Sequence, residues 1–127
     1  MRMEPFKLER YFAIYEFTAK YLLSPSDCES LLMKELVKEA DEESKSLWNN
    51  LKLGYTESMG HPILRQEIAK LYDNITTDDV LTIVPEEGIF IAMNAILEKG
   101  DHVIVVDPIY QSLSEITKSL GCSVSNW

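Results

Sequence analysis

From residue 80 onward the sequence alternates in a way that few architectures accept. Residues 80–84 and 103–106 are short apolar runs rich in valine and isoleucine, the texture of parallel strands covered on both faces. Between them, residues 86–98 have the length and composition of a helix, with Gly100 as its stop signal. A second helix is predicted over 110–120 and stopped by Gly121, and a last strand over 122–127. The series reads β-α-β-α-β. Its fold class is therefore α/β, with helical crossovers between parallel strands.

The residues before this series read as helical. Over 4–21, Leu8, Tyr11, Phe12, Ile14, Tyr15 and Phe17 recur at three- and four-residue spacings, predicting an aromatic-rich helix with a broad buried face. Ser24-Pro25-Ser26-Asp27 interrupts it and offers caps for a helix over 29–40, whose stripe is Leu32, Leu36 and Glu39 or Ala40, with Met33 and Val37 beside it. A short helix over 41–51 follows, with Trp48 as its anchor and Asp41-Glu42-Glu43 as a favourable acidic first turn. Residues 54–60 form a polar loop containing Tyr55. Pro62 opens the next helix, whose apolar face is Ile63, Leu64, Ile68, Leu71 and Tyr72. Asp78-Asp79 closes a turn. The expected organisation is a helical segment over 1–53 and an α/β portion over 54–127.

Composition removes several classes of function. A formal charge of −9 leaves no basic stripe to neutralise a nucleic-acid backbone, and it disfavours anionic membranes. Cys28 and Cys122 lie far apart, and His61 and His102 are the only histidines, so no metal-spaced cluster exists and no metal site is expected. Residues 1–10 lack the apolar core and cleavage site of a secretory signal. No apolar run reaches the length of a bilayer span, so a cytoplasmic protein is expected.

In open α/β sheets, ligands bind beyond the carboxyl ends of strands, where loops lead into helix N-termini. Two such places are legible. At Val84-Pro85-Glu86-Glu87-Gly88, backbone N–H groups at a helix start can hold a phosphate. The same residues are also an ordinary acidic helix start, stabilised through the helix dipole by about 0.3–1 kcal/mol per carboxylate. At Asp107-Pro108-Ile109-Tyr110, the aromatic ring is placed to stack on a flat heterocycle, or else to pack half-buried under its own helix.

Three segments taken together carry more than their parts: Gly54-Tyr55-Thr56-Glu57-Ser58-Met59-Gly60-His61-Pro62-Ile63-Leu64-Arg65, then Val84-Pro85-Glu86-Glu87-Gly88-Ile89, then Gly100-Asp101-His102-Val103-Ile104-Val105-Val106-Asp107-Pro108-Ile109-Tyr110. In that order and spacing they resemble the opening part of pyridoxal-phosphate (PLP)-dependent aminotransferases of fold type I, class I/II. The match runs from Gly54 to Trp127, and the earlier helices fit only loosely, as an arm and small-domain portion. The resemblance implies that the N–H groups of Glu86 and Glu87 meet the cofactor phosphate and that Tyr110 stacks on its pyridine ring. It also implies that Tyr55 reaches the phosphate site of a neighbouring subunit, and that Arg65 pairs structurally with nearby carboxylates. The complete enzyme would move an amino group between an amino acid and a 2-oxo acid.

Two departures shape the expectation. The family has a small pair where this chain has Val84-Pro85, and proline removes one potential phosphate donor. The family's later motifs, among them the Schiff-base lysine and the residues that bind the pyridine ring and the substrate carboxylate, have no counterpart here. Lys52, Lys70, Lys99 and Lys118 stand in no matching context, so no catalytic residue is assigned. The chain is expected to be an N-terminal fragment, inactive alone and without covalently bound PLP. Its sheet should be incomplete, with unpaired edges at 80–84 that favour a homo-oligomer. The alternative is a non-catalytic α/β module retained for ligand binding or protein association.

Overall fold

A computed structural model describes residues 3–127. In chain order the elements are α1 (Lys7–Tyr15), α2 (Met33–Glu39), α3 (Glu42–Asn49), α4 (Pro62–Ala69), a 3-10 turn (Thr77–Asp79), α5 (Pro85–Ile96), β1 (His102–Val105), α6 (Gln111–Ser119) and β2 (Ser123–Asn126). The α/β class and the fragmentary sheet are as expected. β1 and β2 are parallel neighbours, with His102 opposite Ser123 and Val105 opposite Asn126, and α6 is the crossover between them. The ladder runs on past β2, since Trp127 N–H donates to the Val105 carbonyl at 2.9 Å and Asp107 N–H to the Trp127 carbonyl at 3.0 Å.

The core lies where α6 meets α5 and the two strands. Ser112, Ile116 and Thr117 fall at helical spacing on one side of α6 and are fully buried, with Val105 and Cys122 beside them. Thr117 settles its hydroxyl on the Leu113 carbonyl at 2.7 Å, and the Cys122 thiol reaches the Glu98 carbonyl at 3.2 Å. Gly121 ends α6 at φ +87°, a left-handed conformation that a side chain disfavours. α5 stops at Ile96, sooner than Gly100 suggests. The carboxylate of Asp101 accepts from the Glu98 N–H at 2.7 Å and turns the chain there, and Gly100 takes φ +100° inside that turn.

Four expectations are corrected. Residues 80–84 do not enter a ladder. Val80 and Val84 are extended, but the segment's bonds go to a loop and to a side chain rather than to a strand. The sheet is covered on one face only: Val105 is buried, whereas Ile104 is 67% exposed and Val106 is also open. The first helix covers Lys7–Tyr15 rather than 4–21, and its apolar residues Leu8, Tyr11, Ile14 and Tyr15 are exposed. α2 begins only after Leu32, with no side-chain cap, so the 24–27 segment does not cap it, and Leu32, Met33 and Leu36 are exposed.

α3 keeps the expected acidic first turn in Glu42 and Glu43, but Asp41 stands outside it as the N-cap, accepting from Ser44 N–H at 2.7 Å. That bond holds the Asp41 carboxyl below the ordinary carboxylate range. Trp48, its expected anchor, is exposed. The surface of the chain, 11000 Å², is well above the ~6,900 Å² of a compact monomer of this mass.

Candidate functional site

α5 starts with Val84 as its N-cap and Pro85 in its first turn, and no side chain caps it. Gly88 N–H closes the first turn on the Val84 carbonyl at 2.9 Å. Pro85 has no N–H, so the donors pointing out of the helix are those of Glu86 and Glu87, and no acceptor meets them among the described residues. The Glu86 side chain turns inward: its Oε2 is buried and has no hydrogen-bond partner. A Cβ at Gly88 would come within 3.0 Å of Ile83 Cγ2, so α5 sits hard against the extended segment before it.

Tyr110 follows β1 at the carboxyl end of the strand and is the N-cap of α6. Its ring is 38% exposed and meets the Phe6 ring edge-on at 6.3 Å. Its hydroxyl donates to Glu9 Oε1 at 2.7 Å. That bond, partial burial and the charges of Glu9 and Glu86 push the hydroxyl pKa up to about 12, because each disfavours a phenolate. Glu86 is thus near enough for its charge to act on Tyr110. Two clefts touch Tyr110, and both are built with the N-terminal segment. The larger, about 400 Å³, is lined also by Leu8, Glu9, Phe12, Glu16 and Asp27.

Tyr55 stands elsewhere. It is fully exposed in the 54–60 loop and lines a separate cleft with Leu47, Asn50 and His61. Gly60 fixes the end of this loop at φ +102°, where an added Cβ would lie 1.7 Å from Thr82 Oγ1. Thr82 N–H then donates to the Met59 carbonyl at 3.0 Å. Arg65 is only 8% exposed. Its Nε donates to the Val80 carbonyl at 2.8 Å and its Nη2 to the Thr77 carbonyl, while the Asp78 carboxylate is 3.6 Å away. The expected carboxylate pairing is therefore the lesser part of its role: Arg65 chiefly satisfies backbone carbonyls that no sheet partner takes.

A partly open aromatic stands at the end of a parallel strand, and Glu86 Oε2 at the start of α5 is buried without a donor. At the helix start, two N–H donors stand beside two carboxylate side chains, so an anion there gains little net attraction. Among the described residues no group of acidic, histidine or cysteine side chains can hold a metal, and no helix is long and apolar enough to cross a membrane. Phe6, Glu9 and Gln111, which touch Tyr110 or its turn, carry no local sequence signal. Their contacts span more than 100 residues, beyond the reach of any periodicity.

The sequence profile of aminotransferase class I and II matches residues 19–127. The chain is 33% identical over 87 residues to a (5-formylfuran-3-yl)methyl phosphate transaminase of Methanocaldococcus jannaschii, covering 64% of this chain and 23% of that protein. It is 32% identical over 92 residues to an aspartate aminotransferase of Pyrococcus horikoshii, covering 68% of this chain and 22% of that one. Among solved structures, a PLP-dependent aminotransferase from Streptococcus suis superposes on the whole chain with a TM-score of 0.84 at 27% identity, and the chain spans 35% of it. The PLP-dependent cyclase OrfR gives 0.82 at 26% identity, with 33% of it covered. With well over half its length matched, the chain belongs to the class I and II aminotransferase family.

Proposed function

We propose that this chain supplies part of the cofactor site of a PLP-dependent aminotransferase that acts in the cytoplasm on an amino acid and a 2-oxo acid. The observation that carries the reading is Tyr110: a half-open ring at the carboxyl end of β1, in a chain whose whole length superposes on a PLP-dependent aminotransferase. In this reading Tyr110 lies against the pyridine ring, and the N–H groups of Glu86 and Glu87 offer what phosphate contact the turn allows. Tyr55, free of its own subunit, extends to a neighbouring copy. The helical 1–53 segment serves as an arm to the α/β portion of 54–127. When bound, the cofactor supplies the electron-withdrawing ring on which amino-group chemistry depends. The chain's own contribution is to hold and orient that ring.

The chain spans about a third of the solved relatives and less than a quarter of the curated ones, so chemistry by this chain alone is not part of the proposal. Titration with pyridoxamine 5′-phosphate, which cannot condense with a lysine, followed by ligand fluorescence, tests the site. Weak binding that disappears in Tyr110→Ala supports it; equal binding by both proteins sinks it. Borohydride treatment after adding PLP should fix no stoichiometric adduct on any lysine, and a single fixed lysine would refute the non-covalent reading. A second reading, a non-catalytic association module on the same scaffold, is favoured by one observation. The exposed apolar residues extend over α1, α2 and the open face of β1.

A further inference from the structure

α1 has no N-cap of its own. Phe6 occupies the cap position and its side chain offers no acceptor, so the Lys7 N–H is an orphan of the first turn. A residue over 100 positions away resolves this. Lys7 N–H donates to Gln111 Oε1 at 2.9 Å, and Gln111 Nε2 donates back to the Pro5 carbonyl at 3.2 Å. One side-chain amide thus holds the backbone on both sides of Phe6. The neighbouring residue, Tyr110, meets the same segment through the edge contact with Phe6 and the 2.7 Å bond to Glu9. Four contacts from two adjacent residues converge on residues 5–9, although α1 buries none of its own residues.

This pattern is not that of a packed helix. Leu8, Tyr11, Ile14 and Tyr15 stay exposed, so apolar burial does not hold α1 in place. What joins it to the α/β portion is a polar and aromatic staple centred on the turn that presents Tyr110. A tyrosine at a helix N-cap keeps torsional freedom about its own side chain. Tethering its hydroxyl and one edge of its ring removes that freedom.

We propose that residues 5–9 act as a positioning strap for Tyr110, with Glu9 as the positioning residue that fixes the ring through its hydroxyl and Gln111 as the clasp that holds the strap. The functional meaning rests on the aminotransferase reading, in which the Tyr110 face meets the cofactor ring. A ring held in its stacking orientation before the ligand arrives loses less entropy on binding than a free one. Glu9 need touch neither cofactor nor substrate for this. Glu86, the other acid acting on the Tyr110 hydroxyl, has no hydrogen bond to it, so the geometric restraint belongs to Glu9.

The test uses the full chain without cofactor. Tyrosine is labelled at Cζ, Tyr110 is assigned through Tyr110→Phe, and Glu9→Gln and Glu9→Ala are compared with wild type. Glu9 is exposed, so neither variant should disturb folding, and far-UV circular dichroism checks that. The amide oxygen of Glu9→Gln still accepts the hydroxyl. Phe6-to-Tyr110 ring NOEs should therefore keep full intensity in wild type and Glu9→Gln and weaken markedly in Glu9→Ala, where the Gln111 clasp still keeps Phe6 close but the Tyr110 ring turns freely. At about pH 11, where an unperturbed tyrosine is mostly ionised, wild-type Tyr110 should remain protonated and Glu9→Ala should not. NOEs of wild-type intensity in Glu9→Ala would overturn the strap. Pyridoxamine 5′-phosphate titrations of wild type and Tyr110→Ala form a separate arm: equal binding there would refute the cofactor reading, while the NOEs alone decide the strap.

Discussion

Arg65 offers the sharpest test of how the α/β portion is held together. Its guanidinium is 8% exposed and bonds two carbonyls, those of Val80 and Thr77, in the stretch where the sequence suggests a strand and no ladder forms. Removing it with Arg65→Ala deletes two charge-assisted bonds and leaves carbonyls short of donors. At about 1.5–3 kcal/mol for each hydrogen bond to a charged group, with part of the loss recovered by water, the expected cost is about 3 kcal/mol. That is a large share of a typical total stability of about 5–15 kcal/mol, and it raises the unfolding constant roughly 100-fold. Asp78 tells the two accounts of Arg65 apart. Its side chain is 99% exposed and 3.6 Å distant, so Asp78→Ala should cost about 0.5 kcal/mol or less. Arg65→Lys should fall between, since an ammonium lacks the rigid fork that spans both carbonyls. Urea unfolding gives the totals, and hydrogen exchange at the Thr82 amide, which donates to Met59, reports the local effect. A loss below about 1 kcal/mol for Arg65→Ala, or equal losses for Arg65→Ala and Asp78→Ala, would refute the carbonyl clamp.

Gly60→Ala should lower the thermal midpoint by several degrees and abolish protection of the Thr82 amide, because the new Cβ meets Thr82 Oγ1 at 1.7 Å and φ is +102°; an unchanged midpoint would contradict it. The depressed carboxyls of Asp41 and Asp79 stabilise α3 and the 3-10 turn above the unfolded value of 3.8, and that contribution is lost as pH falls through their lower folded values. Helical ellipticity should therefore decline from about pH 4 downward, and Asp41→Asn, which keeps an acceptor without a titrating charge, should flatten the decline. A profile identical in both proteins would rule Asp41 out as its source. The chain should bind ANS strongly at neutral pH and sediment as a homo-oligomer, since its exposed surface exceeds that of a compact monomer; a monodisperse monomer without ANS fluorescence would refute this.

The most local features were legible in sequence. Pro62 opens α4, Gly121 ends α6, an acidic first turn opens α3, and residues 102–105 and 123–126 pair in parallel. The first three rest on chemistry within a few residues, and the pairing on a single helical crossover. The strand expected at 80–84 shows why composition is insufficient: β-branched residues favour an extended backbone, but a strand also needs a neighbour. Val80 found Arg65 and Thr82 found Met59 instead. α1 and α2 are similar cases, since their apolar spacing describes a face correctly without supplying anything for it to face. At the candidate site, Tyr110 and Glu86 were readable as residues at strand and helix ends. The contact of Tyr110 with Glu9 was not, because nothing in a helical stripe encodes a partner 101 residues away.

The size of the open surface bears on which kind of association could satisfy this chain. The excess over a compact monomer of this mass is roughly 4,000 Å². A standard protein–protein interface covers about 800 Å² per partner, and obligate dimers typically cover about 1,000–2,500 Å² of each. A single homotypic contact therefore leaves much of the apolar surface open, whichever face it uses. The exposed groups are also scattered in kind: the helical stripes of α1 and α2, one face of β1, and the stretch 80–84, whose backbone bonds go to a loop and a side chain rather than to a strand. A second copy could cover a helix stripe by packing. The open sheet face asks for a helix layer, and 80–84 asks for strands beside it. Those demands call for neighbours of different geometry, and in an α/β architecture they are met by further layers of the same sheet. Homo-oligomerisation can therefore relieve part of the exposure. The Tyr110 ring is a separate matter, since Glu9 and Phe6 of its own chain already contact it.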